Sequence, residues 1–149
     1  VLQWAREHKC PWDSGTCARV ALGGHLEVLK FARQHDCEWD WQTSSAAEGG
    51  HIVVLQWARE HGCPWTEDAC AAAAHGGHLE TLQWLREHHC PWNWNTCKYA
   101  AQAGHLDVLQ WVRANDETGE AWRELRVRHF AGRPRKQEVL TWLYGISAP

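Results

Sequence analysis

The chain has 149 residues, 44% of them hydrophobic and 22% charged, with a formal net charge of −3. No apolar run approaches the ~20 residues of a membrane span, and so mild a charge gives no overall field toward nucleic acid or anionic lipid. Seven cysteines, an odd number, with nothing resembling a secretory signal, read as reduced thiols in an intracellular protein, cytoplasmic or nuclear.

The sequence repeats itself. Trp4, Phe31, Trp57, Trp84 and Trp111 lie 27, 26, 27 and 27 residues apart, and Cys10, Cys37, Cys63 and Cys90 keep step with them, as do His25, His51, His78 and His105. A fixed period of this size means stacked supersecondary units, whose product is an extended surface. The expected organisation is one solenoid over residues 1–149. It comprises a partial unit (1–12), full units at 13–39, 40–65 and 66–92, a near-full unit at 93–119 and a divergent C-terminal capping unit at 120–149. Val1-Leu2-Gln3-Trp4 matches Val54-Leu55-Gln56-Trp57, which places Val1 inside a helix, and methionine is absent. The chain is therefore expected to be a segment of a longer protein.

Within a unit the elements follow in order. Asp13, Asp40, Thr66 and Asn93 stand three residues after successive cysteines and are residue types that cap helix N-termini. This places Trp12, Trp39, Trp65 and Trp92 at N′ and Cys17, Ser44, Cys70 and Cys97 at N4, the positions of a hydrophobic staple. Pro11, Pro64 and Pro91 stiffen the entry, and Glu38 breaks that pattern. The first helix is short and small, with Ala21, Ala47, Ala74 and Ala101 recurring so that neighbouring helices can approach. Gly24, Gly50, Gly77 and Gly104 supply the permissive backbone that ends it. A second helix follows, as in His25 to Arg33, with a wide apolar face formed by Leu26, Val28, Leu29, Phe31 and Ala32. Glu27 and Glu80 suit the positive end of its dipole, and His8, His35, His61 and His88 the negative end when protonated.

A leucine-rich repeat has a similar period but needs Asn or Cys eight positions after its first Leu. Counting from Leu26, Leu79 and Leu106 gives Gln34, Glu87 and Ala114, and the intervening residues favour helix. The chain is read as all-α.

The run Ala73-Ala74-His75-Gly76-Gly77-His78-Leu79-Glu80-Thr81-Leu82 resembles the heart of an ankyrin repeat, and Val20 to Leu29 and Ala100 to Leu109 follow it closely. The chain resembles the short, Cys-Pro-Trp-bearing ankyrin repeats abundant in large DNA viruses and some protists. The resemblance is strong over about residues 1–115 and weak over 120–149. It implies an ankyrin-like helical solenoid of stacked antiparallel helix pairs acting as a non-enzymatic protein-protein interaction scaffold, with no catalytic residue carried over. The family's Thr-Pro-Leu-His opening is replaced here by sequences such as Thr16-Cys17-Ala18-Arg19. The period is also about six residues short of the usual ~33. The shortfall lies after the second helix, so the projecting β-hairpin fingers are expected to be reduced or absent.

Towards the C-terminus, Glu138-Val139-Leu140-Thr141-Trp142 restores the second-helix signature without an intervening Cys-Pro-Trp. Residues 120–131 read as a longer first helix with Trp122, Leu125 and Phe130 inward. The basic stretch from Arg123 to Lys136 reads as the solvated outer face of a terminal unit in preference to a nucleic-acid site.

His8, Cys10, Cys17 and His25, repeated from His61 to His78 and from His88 to His105, resemble zinc-ligand sets. Cys17 and His25, however, sit at opposite ends of one helix, about 12 Å apart at 1.5 Å per residue, whereas zinc ligands lie within about 2.3 Å of one metal. Ser44 replaces the second Cys in one otherwise intact unit. Cysteine and histidine recurring in every unit also read as structural, since a nucleophile-base pair needs one shaped pocket. No metal, cofactor or catalytic residue is assigned. The alternative reading is a metal-binding or redox-responsive repeat protein using these Cys/His sets.

Comparison among units separates shared framework from individual surface. On the first helix the most varied positions are Ser14, Arg19 and Leu22, then Trp41, Ser45 and Glu48, then Glu67, Ala72 and His75, then Trp94, Tyr99 and Gln102. Variation alone is what a solvent-facing surface shows. Trp41 and Trp94 go further, because staple tryptophans already fill the folding role two residues earlier. Extra Trp beside Arg and Tyr has the composition of an interface anchor. The expected partner is another protein, contacted through Ser14, Arg19, Leu22, Trp41, Glu48, Glu67, His75, Trp94, Tyr99 and Gln102.

Overall fold

The structure, a computed structural model, describes residues 13–35, 42–116, 119, 139 and 141–142. The predicted partial unit at 1–12 and most of the predicted capping unit at 120–149, including the stretch from Arg123 to Lys136, lie outside them. Among the described residues eight helices run in consecutive pairs: α1 (Ser14–Leu22) with α2 (Leu26–Gln34), α3 (Gln42–Glu48) with α4 (Ile52–Glu60), α5 (Glu67–Gly76) with α6 (Leu79–Glu87), and α7 (Trp94–Ala103) with α8 (Leu106–Asn115). Among the described residues there is no strand; the connections after α4 and α6 carry no β-finger.

The predicted caps start these helices. Asp13 is extended and its carboxylate accepts the Thr16 N–H at 2.7 Å and the Thr16 hydroxyl at 2.8 Å. These bonds favour the ionised form, the backbone one most, and hold the Asp13 pKa below its ordinary value. Thr66 accepts from the Asp68 N–H at 3.3 Å, and Asn93 from the Asn95 N–H at 2.9 Å. Asp40 lies outside the described residues.

The ends are equally regular. At the end of α5 the Gly77 N–H donates to Ala74 and the His78 N–H to Ala73, a Schellman arrangement closed by a left-handed residue. Gly24, Gly50, Gly62, Gly77 and Gly104 hold that residue at φ between 72° and 88°. After α6 the same bonds, His89 N–H to Arg86 and Cys90 N–H to Leu85, form around His89 at φ 60°, the one non-glycine with positive φ among the described residues.

First helices stack on first helices: α1 lies against α3, α3 against α5 and α5 against α7, more intimately than any lies against its own second helix. Alanine permits the approach. Ala21, Ala46, Ala47, Ala69, Ala73, Ala74, Ala100 and Ala101 have no exposed surface. The second helices supply larger apolar groups, and Leu29, Leu55, Leu82 and Leu109 are fully buried, each contributing about 2–3 kcal/mol.

The left-handed positions are not equivalent. A Cβ on Gly62 would meet nothing within 4 Å, whereas one on Gly50 would lie 2.7 Å from His78 Nδ1. Gly62→Ala is expected to cost only the backbone penalty, about 1 kcal/mol. Gly50→Ala adds a clash and should cost about 3 kcal/mol or more, while His89→Gly should stabilise by up to about 1 kcal/mol. Urea unfolding midpoints of the three variants check this order.

Candidate functional site

The repeated side chains are occupied in holding the stack. The His51 ring reaches back to the preceding unit, where its Nε2–H donates to the Leu22 carbonyl at 2.9 Å. His105 Nε2–H donates likewise to the His75 carbonyl at 3.1 Å. These carbonyls end α1 and α5, and the left-handed glycine beside each leaves room for the ring: a Cβ on Gly24 would sit 2.5 Å from His51 Nδ1. The sequence pattern places these histidines only at the start of each second helix. Their partners lie 29 and 30 residues away, one unit back, a relation that spacing within a unit does not reveal.

A second set closes the outer helices. His61 and His88 donate through Nδ1–H to the Trp57 and Trp84 carbonyls, each at 2.8 Å, and their rings lie on those same tryptophans with centroids 4.5 and 4.1 Å apart. They cap the C-terminal ends that the dipole argument assigned to them. Trp65 and Trp92, predicted as staples, meet Trp84 and Trp111 edge-on at 5.8 and 5.9 Å. Above them lie the Arg59 and Arg86 guanidinium groups, at 4.7 and 4.4 Å. Arg86 also donates to the Cys90 carbonyl at 2.6 Å.

The first-helix face is built differently. Three successive units open a groove of about 250 Å³, lined by Ser44 and Glu48 of α3, Asp68, Ala71, Ala72 and His75 of α5, and Tyr99 of α7. The alanines set its floor. His75 Nδ1 lies 3.1 Å from Glu48 Oε1, and the His75 and Tyr99 rings meet edge-on with centroids 6.0 Å apart. The Lys98 ammonium sits 5.0 Å from the Tyr99 ring and 5.1 Å from that of Trp94, linking the groove to the start of α7.

Glu48, His75 and Tyr99 of the predicted interface therefore meet in one place. Glu67, at the start of α5, is exposed, and Gln102, near the end of α7, is half-buried; neither lines the groove. Arg19 is exposed on α1, and Leu22 at its end is 43% exposed. Ser14 begins α1, but its side chain, like the whole of Trp41, lies outside the described residues. Trp94 is half-buried, with Lys98 over its ring, so it is less exposed than expected. The sequence missed Ser44, Asp68 and Ala71. The signal was Asp68, Ala72 and His75 at i, i+4 and i+7, a stripe one residue round from Glu67; helical side chains three and four apart share a face.

The cysteine reading needs one correction. Cys63, Cys70, Cys90 and Cys97 lie outside any disulfide, but Cys17 is disulfide-bonded, so the seven are not all reduced. Cys97 is pushed up to about 12, by burial first and then by the Asp116 charge, which keeps it a neutral thiol. No group of three His, Cys, Asp or Glu among the described residues is placed to hold a metal ion. The zinc-like sets disperse because His61 and His88 turn to the Trp57 and Trp84 carbonyls and His105 to a carbonyl of the preceding unit, while Cys70 turns inward to Cys90.

Helix pairs stacked through their first helices, with unit-specific side chains on that face, define an all-helical, ankyrin-like repeat fold. A family profile described as "Ankyrin repeats (many copies)" matches residues 69–113, from the first turn of α5 to the last turn of α8. No curated protein matches the chain. Ankyrin repeats generally mediate protein-protein interaction and are typically not enzymes. No helix among the described residues is long and apolar enough to cross a membrane.

The Glu48–His75 pair is solvent-accessible and joins two side chains that are 43% and 51% exposed, so it should contribute little to stability. Glu48→Ala and His75→Ala are expected to change unfolding free energy by less than about 1 kcal/mol. Trp65→Ala, which removes the ring between Arg59 and Trp84, should cost about 3 kcal/mol. Denaturant titrations of the three proteins separate framework from surface.

Proposed function

We propose that the chain is a non-enzymatic interaction scaffold of the short, Cys-Pro-Trp-bearing ankyrin type, and that it binds a protein partner across the first-helix face. The observation that carries this reading is the convergence of Glu48, His75 and Tyr99, from three successive units, on one groove. None of the three repeats from unit to unit. The stacking, capping and turn roles belong to alanine, the N-caps, the left-handed glycines and the recurring His and Trp.

The size of the groove supports docking of a partner's side chain over small-molecule chemistry. At about 250 Å³ it falls below the roughly 300–1,000 Å³ of small-molecule pockets. A larger groove of about 400 Å³ lies on the second-helix face, lined by Lys30, Arg33, Gln34, Trp57 and His61. Trp57 and His61 are engaged with each other there, as Trp84 and His88 are in the next unit, and Lys30 pairs with Glu27 at 2.8 Å. Redundancy thus favours the first-helix face. Ser14, Arg19, Leu22, Trp41, Glu67, Trp94 and Gln102 extend the interface around the groove. An intracellular address, cytoplasmic or nuclear, belongs to the same proposal and rests on Cys63, Cys70, Cys90 and Cys97 lying outside any disulfide, with the disulfide-bonded Cys17 counting against it.

Affinity capture with the 149-residue protein, followed by measured dissociation constants for whatever it retains, tests the surface. Tyr99→Ala, Trp94→Ala and Trp41→Ala are expected to weaken binding about tenfold or more while helicity and melting stay close to those of the parent. Substitution of Lys30 and Gln34 should leave binding unchanged. If those two changes abolish binding and Tyr99→Ala does not, the interface lies on the second-helix face and the assignment fails.

A further inference from the structure

Cys70 and Cys90 stand 20 residues apart in sequence and share one buried place. Cys70 is the fourth residue of α5, and Cys90 lies in the connection that follows α6; neither has any exposed surface. The sulfur of Cys70 lies 4.0 Å from the Cys90 carbonyl, and the sulfur of Cys90 lies 3.5 Å from the carbonyl of Thr66, the cap of the helix that carries Cys70. Each thiol thus donates to a backbone carbonyl, and the two bonds cross the same contact between α5 and the connection. The connection is thereby folded under the first turn of α5.

A second, independent observation concerns the same position in another unit. Cys17 is the fourth residue of α1 as Cys70 is of α5, and Cys17 is disulfide-bonded. Only some units carry two cysteines at this spacing: Cys17 and Cys37 do, as do Cys70 and Cys90. In the sequence, Ser44 takes the first of these places in the unit of Cys63, and Glu117 the second in the unit of Cys97. Paired thiols are therefore a property of particular units and not a requirement of the fold, since α3 packs with serine in that place.

We propose that Cys70 and Cys90 form an oxidisable pair, which a low-molecular-weight disulfide such as oxidised glutathione converts to an intramolecular disulfide tying α5 to the connection after α6. Cys90 is the attacking group. The neighbouring Cys70 thiol and then the positive charges of Arg86 and Arg59 favour its thiolate, against the opposing effect of burial. Cys70 is pushed the other way by the neighbouring Cys90 side chain and by burial. Local opening of the connection gives the reagent access. The Cys90 thiolate attacks one sulfur of oxidised glutathione, forming a mixed disulfide and expelling one glutathione thiolate. Cys70 then gives up its proton and attacks Cys90 Sγ, expelling the second glutathione. Two protein thiols are oxidised, one glutathione disulfide is reduced to two thiols, and both protons end on glutathione.

The test uses the whole chain, reduced, freed of reductant and exposed to oxidised glutathione, then quenched in acid, unfolded and alkylated. Peptide mapping is expected to recover Cys70 joined to Cys90, with a mass lower by two hydrogen atoms than the reduced pair, while Cys63 and Cys97 are recovered alkylated. In a Cys17→Ser background, which removes the other disulfide, oxidation should raise the melting temperature by about 5 °C or more, and adding Cys70→Ser should abolish that rise. Recovery of both Cys70 and Cys90 as alkylated thiols, or of Cys90 arrested as a glutathione adduct beside a free Cys70, would overturn the proposal. The mapping is done on the unsubstituted chain, so its outcome does not depend on any variant folding.

Discussion

The contact on which the stack depends is a histidine ring laid across the glycine turn of the preceding unit, its Nε2–H on a carbonyl that the helix end leaves open. Three requirements meet there. The carbonyls at a helix C-terminus lack intrahelical partners, the left-handed residue that ends the helix must lack a Cβ for the ring to approach, and the next unit must begin its second helix at the right height. His51 on Leu22 and His105 on His75 satisfy all three. Once the ring is seated, the first helices stand close enough that only small residues fit between them, and the alanines of α1, α3, α5 and α7 follow from that spacing.

Much of this was legible in the sequence because it is local. Asp13, Thr66 and Asn93 cap by bonding backbone two or three residues away. Gly24, Gly50, Gly77 and Gly104 turn left-handed where the period places them, and the apolar face of α2 is read from a nine-residue pattern. What escaped is non-local. A period states that units stack but not which atoms face across the interface, so the reach of His51 into the preceding unit and the meeting of Cys70 with Cys90 had no signature. The groove shows the same limit on a finer scale. Glu48, His75 and Tyr99 were found as variable residues, whereas Asp68 was passed over for Glu67, because the groove follows the flank of α5 shared with α3 and α7, and a flank is set by packing.

The two surfaces of the stack divide the work. Outside, His, Trp and Arg form a repeated cover in which each cation and ring has a neighbour along the chain, as with Arg59, Trp65 and Trp84. Inside, the first helices pack through small residues, alanine above all with cysteine and Thr96, so their outward positions are unconstrained by folding and can differ from unit to unit. A stack of this kind can vary that face without renegotiating its stability.

The backward reach of the histidines also gives the array a polarity. Each such ring is carried by one unit and secures the helix end of the unit before it, so among the described units every turn is fastened from its C-terminal side. Removing a unit from that side would strip the latch from its neighbour and leave a bare glycine turn with an unanswered carbonyl. Removing one from the other side would merely free a histidine to water. Fraying should therefore start more readily at one end than the other, like a zip that opens from its slider.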